Sequence, residues 1–275
     1  WKFAPDKMLY ATYSKGFRPG GVNRIAGPNG KPYEPDYLKN YEIGWKTEWL
    51  DRRLRWNAAL FWEDWKNFQF GFLVPPSITA ITNAGNARIK GWENDLIFQP
   101  THKLMMSANF TWLHAVTTEN FCATVGVTDC PNDTTGAPFL PPTYTWTGPL
   151  APAGTDLPQV PKFKGNAVLR YQFDDIASWS PFGQAAFMYQ TKTAPHLKGN
   201  EQAVIGFAPA YGLLDLSAGA TSPSQATQIT LFISNVTDKR AQLTRFTNIS
   251  ANNMNQVYVV PAQPRTFGIQ VSQNF

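Results

Sequence analysis

No long apolar run occurs anywhere in this chain. Mean hydropathy is −0.30 although 43% of the residues are hydrophobic, so the apolar side chains are dispersed. The longest unbroken apolar stretches fall far below the roughly 18 residues a spanning helix needs. Cysteine is scarce: Cys122 and Cys130 are the only two, and with no further ligands nearby they do not make a metal site. Their spacing, in a segment of Pro, Asn, Asp and Gly, fits a local disulfide in an oxidising compartment. Histidine is equally sparse. His102, His114 and His196 lie on separate stretches, without Glu or Cys at metal-ligand spacing, so no metal and no cofactor is expected. Charge amounts to 16% of residues, and the net +5 is scattered over turns, strands and loops. No basic stripe for nucleic acid results. Asp174 and Asp175 are neighbours in a turn context, which accounts for both without a catalytic carboxylate pair. A leader is missing too: the chain opens on Trp1 with no charged n-region, apolar core or small-residue cleavage site, which points to a processed or truncated chain.

What is abundant is aromatic residues, 14% of the chain, set in a two-residue period. In residues 40–50, Tyr41, Ile43, Trp45, Thr47 and Trp49 share one parity while Glu42, Gly44, Lys46 and Glu48 share the other. After Asp51-Arg52-Arg53 the pattern resumes with Leu54, Trp56, Ala58, Leu60 and Trp62 against Arg55, Asn57, Ala59, Phe61 and Glu63. Two long strands joined by a tight turn, apolar on one face and charged on the other, suit a soluble sandwich poorly. They suit a membrane barrel, whose apolar parity meets lipid and whose polar parity meets a wet lumen. Trp49 and Trp56 beside the turn, and Trp62, Trp65, Phe68 and Phe70 at the far end, supply the aromatic girdles.

The same alternation marks strands at residues 8–17, 87–99, 104–118, 162–173, 182–193, 211–221, 227–237 and 263–275. Residues 18–39, 119–160, 194–210 and 238–262 read as loops, and Pro75-Pro76 as a further one. The fold class is therefore all-β: an antiparallel up-and-down transmembrane barrel segment of about ten strands, with short turns at one end and long loops at the other. Trp45, Leu60, Trp92, Phe110 and Ile269 should face outward. Glu42, Lys46, Glu48, Arg55, Glu63, Glu93 and Asp95 should line the lumen, paired with one another by default.

On five stretches the chain resembles the C-terminal part of a TonB-dependent outer-membrane receptor. They are Tyr13-Ser14-Lys15-Gly16-Phe17-Arg18-Pro19-Gly20, Tyr41-Glu42-Ile43-Gly44-Trp45-Lys46, Asn83-Ala84-Gly85 leading to Lys90-Gly91-Trp92-Glu93, Asn235-Val236-Thr237-Asp238-Lys239, and Pro264-Arg265-Thr266-Phe267-Gly268 before the terminal Phe275. Each is weak alone; their order on successive strands is specific. The resemblance implies that residues 1–275 form the C-terminal part of a barrel of roughly 22 strands, with the plug domain absent. It also implies an outer-membrane location in a Gram-negative bacterium, energy from the TonB complex through the missing N-terminal region, and recognition of Phe275 by barrel-assembly machinery. The cargo class it implies first is a ferric siderophore. Carbohydrate or cobalamin uptake stands as an alternative, and a small-barrel enzyme, porin or adhesin as a rival class.

Candidate cargo contacts are Arg18, Arg24 and Tyr33 in one outer loop, Tyr144 and Trp146 in another, and Arg245 in a third, where stacking and charge meet. The ordinary role of such residues is to order their loop. Positive and negative loops nearly offset, so the charge does not indicate an anionic cargo. An enzyme would need rim carboxylates with a histidine, and only His114 approaches a rim. Catalytic residues are therefore not expected. The sequons at Asn109, Asn132, Asn235 and Asn248 read as chance, two of them lying within expected strands.

Overall fold

The computed structural model describes residues 1–24, 30–74, 78–122, 129–130, 134–136, 145–247 and 257–274. In chain order its strands are β1 (Lys2–Ala4), β2 (Lys7–Arg18), β3 (Asp36–Trp49), β4 (Leu54–Lys66), β5 (Gln69–Val74), β6 (Ile78–Asn83), β7 (Ala87–Thr101), β8 (Leu104–Thr117), β9 (Thr134–Gly136) and β10 (Thr145–Thr147). Then come β11 (Phe163–Gln172), β12 (Ser180–Gln190), the short helix α1 (Gly199–Ile205), β13 (Tyr211–Thr221), β14 (Thr227–Ser234), β15 (Gln242–Thr247), β16 (Val257–Pro261) and β17 (Thr266–Gln273). Eleven strands form one sheet in the order β1-β2-β3-β4-β7-β8-β11-β12-β13-β14-β17, every pair antiparallel. Three two-stranded hairpins stand apart from it. No helix among the described residues is long and apolar enough to cross a membrane.

The ten expected strands are all present, and three-residue β1 adds an eleventh. Bounds shift where backbone chemistry demands. The first of the two long strands begins at Asp36, because Arg18 and Asp36 close the β2–β3 ladder. Strand β14 stops at Ser234, where the Asn235 side chain accepts from Lys239 N at 2.9 Å and donates to Lys239 O and Gln263 O, building a turn. Strand β17 starts only after Pro264, which has no N–H for a ladder. Three stretches expected to be loops contain paired strands, residues 119–160 among them with β9 against β10. The chain around Pro75-Pro76 carries β5 and β6, paired from Gln69↔Asn83 to Val74↔Ile78, and residues 238–262 carry β15 and β16.

Register fixes the two faces. Trp45 stands opposite Ala58, Ala58 opposite Asn94, and Asn94 opposite Phe110. The neighbouring row runs Ile43, Leu60, Trp92, Trp112 and Phe163, and Ile269 lies opposite Leu231 at the other end of the sheet. All five residues expected outward share this face. Leu60, Trp92 and Ile269 are exposed, while Trp45 and Phe110 lean edge-on against Trp56 and Trp92 at 5.0 and 5.6 Å. The opposite parity carries Glu42, Lys46, Glu48, Arg55, Glu63, Glu93 and Asp95. Arg55 approaches Asp95 at 4.0 Å, and Tyr10 donates to Glu42 at 2.7 Å.

That inner face holds a recurrent device. Tyr10 lies opposite Gly44, Phe61 opposite Gly91, Phe182 opposite Gly219 and Phe232 opposite Gly268. In each pair the ring lies across the glycine, so that an added Cβ would come within 2.1–2.9 Å of it. The aromatic covers backbone the glycine leaves bare, which ties neighbouring strands without filling the lumen.

Short turns at residues 50–53, 102–103, 173–179 and 222–226 lie at one end of the sheet, and the long connections all emerge at the other. Two of the short turns are tied by an ion pair between Lys103 and Asp174. Among the described residues β1 and β17 are the outermost strands and do not pair with each other. The sheet is open, as a segment cut from a larger barrel should be.

Candidate functional site

At the long-loop end the connections fold back over the inner face. Trp65, Ala87, Ile89 and Ala115 are inward-facing strand residues, and they pack with Phe68 and Ala84 from the β5–β6 insertion, Phe121, Leu150, Ala151 and Leu157 from the long loop, and Leu197. A fully wet lumen is therefore not what this end shows: an apolar cluster fastens three connections to the wall. The loops acquire a core only by borrowing one from the strands.

A polar lattice adjoins it. Asp36, at the start of β3 and almost fully buried, accepts from Arg18 Nε at 2.9 and 3.1 Å, Arg18 N at 3.2 Å, Trp65 Nε1 at 3.1 Å and Gln69 N at 3.1 Å. The guanidinium reaches on to Gln69 O at 3.3 Å and lies over the Trp65 ring. Asn23 exchanges two 2.8 Å bonds with the Ile81 backbone. Asn83 accepts from Glu34 N at 2.8 Å and donates to Glu34 O at 3.0 Å. Asn and Gln side chains thus stand in for a strand partner and seat the first loop on the β5–β6 hairpin.

The structure brings Arg18 and Tyr33 into this lattice. Tyr33 forms a backbone bridge with Gly21, its hydroxyl filling the space a Cβ on Gly21 would need. Arg24 is exposed at the loop tip. Arg245 is apart from them, on β15, donating to Phe207 O at 3.2 Å while its buried Nε meets no acceptor among the described residues. Tyr144 lies outside the described residues, as does the side chain of Trp146. Of the expected contacts that are described, Arg18 is held by Asp36 beside Tyr33, and Arg245 belongs to a second cluster near α1.

In that second cluster His196 Nδ1 lies 3.2 Å from Glu201 Oε2, and Lys198 Nζ lies 3.5 Å from Glu201 Oε1. Burial alone would push the Glu201 carboxyl up, but the hydrogen bond from His196 and the charge of Lys198 outweigh it and hold the carboxyl below its ordinary range. His196 is thus not isolated, although no group of three metal-ligating side chains occurs among the described residues. His114 is exposed opposite Lys90 on the outward face, directed away from the inner carboxylates.

Cys122 and Cys130 are bonded, both sulfurs belonging to buried residues. Below the rim the inner wall forms a basin of about 570 Å³. Lys46, Lys164, Glu93, Asp95 and Asn109 line it, with both signs of charge present. Asp36, Asn23, Gln69 and Asn83 escaped sequence reasoning because polar loop residues carry no period that would mark their partners. The one available signal was the short alternation Phe70, Phe72, Val74 before the two prolines.

Residues 1–237 match the family model described as TonB dependent receptor-like, beta-barrel. Among curated proteins the metal-pseudopaline receptor of Pseudomonas aeruginosa is 25% identical over 279 aligned positions, covering all of this chain and 32% of that protein. A probable TonB-dependent siderophore receptor of Acinetobacter baumannii is 29% identical over 127 positions, 44% of this chain and 17% of that protein. Among solved structures the ferric yersiniabactin uptake receptor of Yersinia pestis superposes with a TM-score of 0.71 at 19% identity, over 99% of this chain and 36% of that one. At that identity the likeness shows the fold alone. The chain spans about a third of the length of the first of these curated relatives.

Proposed function

This chain belongs to the TonB-dependent receptor β-barrel family, and on that premise we propose that it is the C-terminal part of an outer-membrane receptor importing a scarce chelated nutrient with TonB-derived energy, a ferric siderophore first. The observation that carries the proposal is the long-loop end itself. An apolar cluster and a hydrogen-bonded lattice hold loops over the inner face, giving a shaped mouth above a basin whose lining carries both signs of charge among apolar side chains. A passive pore has no need of loops so firmly seated over its lumen. The relatives named for siderophore or metal-chelate uptake support the cargo class. Plug, partner box and the remaining strands belong to the rest of the receptor in this reading.

The test is genetic. A strain lacking the full-length receptor is grown under iron limitation with a panel of purified ferric siderophores, and labelled uptake is measured with and without an intact TonB system. Loss of growth and uptake on one chelate, restored by the receptor gene only when TonB is present, is the expected outcome. Unimpaired uptake of every ferric chelate, with loss on a saccharide or cobalamin, would transfer the proposal to that cargo; uptake that persists without TonB would end it.

A further inference from the structure

Between β12 and β13, residues 194–207 form a strap that is firmly pinned. Thr193 and Ala208 exchange two backbone bonds of 3.0 Å at its base, and Gly199 N donates to Leu150 O at 2.7 Å. Leu197 enters the apolar cluster of the long-loop end. The base of the neighbouring β15–β16 hairpin is equally firm. Ala262 N donates to Ala241 O at 2.7 Å, both alanines are buried with Tyr211, and Arg265 N reaches an Asp238 oxygen at 2.9 Å.

The seam where the strap's helix α1 packs against β15 is of another quality. A bulge between Gln242 and Thr244 sets Gln242 opposite Pro261 and Arg245 opposite Val259, so the two side chains share a face although three positions apart. Gln202 and Gly206, one helical turn apart, share a face of α1. Arg245 lies against that face: a Cβ on Gly206 would stand 2.8 Å from its Nη1, which donates to Phe207 O at 3.2 Å. Its Nε, both amide atoms of Gln202 and Gln242 Oε1 are buried and have no hydrogen-bond partner among the described residues. Of the seven such orphaned atoms there, four fall on these two elements.

A buried donor or acceptor without a partner weakens the contact that encloses it, whereas an apolar side chain of the same shape does not. Methionine at either glutamine would therefore hold this seam closed better than the residue present. We infer that the α1–β15 seam is a built-in weak joint, which parts to admit cargo while the bases of strap and hairpin stay fixed. Parting hydrates four orphaned atoms at once, and it exposes Arg245 together with Gln202 and Gln242. Elements that must move for binding are drawn from the least stable contacts of a fold. The role in admission rests on the receptor reading; the weakness of the joint does not.

The experiment compares the full-length receptor, in detergent and without cargo, with the Gln202→Met, Gln242→Met double variant by hydrogen exchange at one pH. Protection in residues 199–207 and 242–247 should rise about tenfold in the variant, while that of the wall strand at residues 211–221 stays unchanged. Heat-modifiable migration reports that the barrel is folded. Labelled uptake by cells bearing equal amounts of receptor should fall several-fold, because the joint now stays shut. Unchanged protection overturns the inference, and so does a fall, which would mean that bound water had bridged the amides and that the methionines had removed those bonds. Higher protection with undiminished uptake overturns the role in admission. Should the receptor take up no chelate at all, exchange on the cargo-free protein still decides the joint, and the transport reading fails alone.

Discussion

Asp36 shows how a loop can be closed by one side chain. It accepts from three residues on three elements, so replacing it with alanine orphans the Trp65 indole N–H and the Gln69 amide and frees a half-exposed guanidinium. Asp36→Ala should cost about 2–3 kcal/mol in denaturant unfolding and open the first loop to proteases, whereas Arg24→Ala, at an exposed tip, should leave both unchanged. In the receptor we propose, Arg18→Ala should weaken uptake through loop disorder, and restoring the loop by a distant crosslink should recover it. A second residue-scale expectation concerns acid. The Glu201 carboxyl is held below its ordinary value, so the folded state binds fewer protons there than the unfolded one. Its contribution is complete above an unfolded value of about 4.3 and lost as pH falls through and below it. Hydrogen-exchange protection across residues 194–207, measured relative to the intrinsic amide rate at each pH, should therefore fall on acidification below about pH 4.3, and Glu201→Gln should abolish that dependence.

At the scale of the element, alternation was enough to place strands and little else. Tyr41, Ile43, Trp45, Thr47 and Trp49 announced both the strand and its outward face, because a period of two is a local property of side-chain geometry. The β15–β16 hairpin went unread because its strands are short and Phe246 and Tyr258, stacked at 5.6 Å, sit among residues without a sustained period. Arg18 was visible as a candidate, yet its partner lies eighteen positions on, and nothing local foretold that the pair would satisfy each other before any cargo did. The disulfide was legible because the chain has only two cysteines, eight positions apart in one loop. Reducing it should cost the long loop about 2–3 kcal/mol of local stability, seen as faster proteolytic nicking within residues 121–151 while the strands stay resistant. The glycine–aromatic pairs make the opposite prediction for the wall. Gly91→Ala would place a methyl 2.1 Å from the Phe61 ring, so that variant should lower the denaturation midpoint, and pairing it with Phe61→Leu should restore most of the loss.

For the whole molecule the dominant fact is the row of backbone along β17 that has no strand partner among the described residues. In the intact barrel we propose, that edge would be spent on the first strand; in the isolated segment it is a bare template backed by Phe267, Ile269 and Val271, each about two-thirds exposed. Removed from lipid, such a strand has the chemistry of a growing fibril end: free N–H and C=O groups on one side and interdigitating apolar side chains on the other. The segment produced alone in aqueous buffer should thus deposit as ordered cross-β material, with a reflection near about 4.7–4.8 Å, whereas a Phe267→Lys, Ile269→Lys version should remain dispersed. The edge that would close a pore in the membrane would, in water, propagate without end.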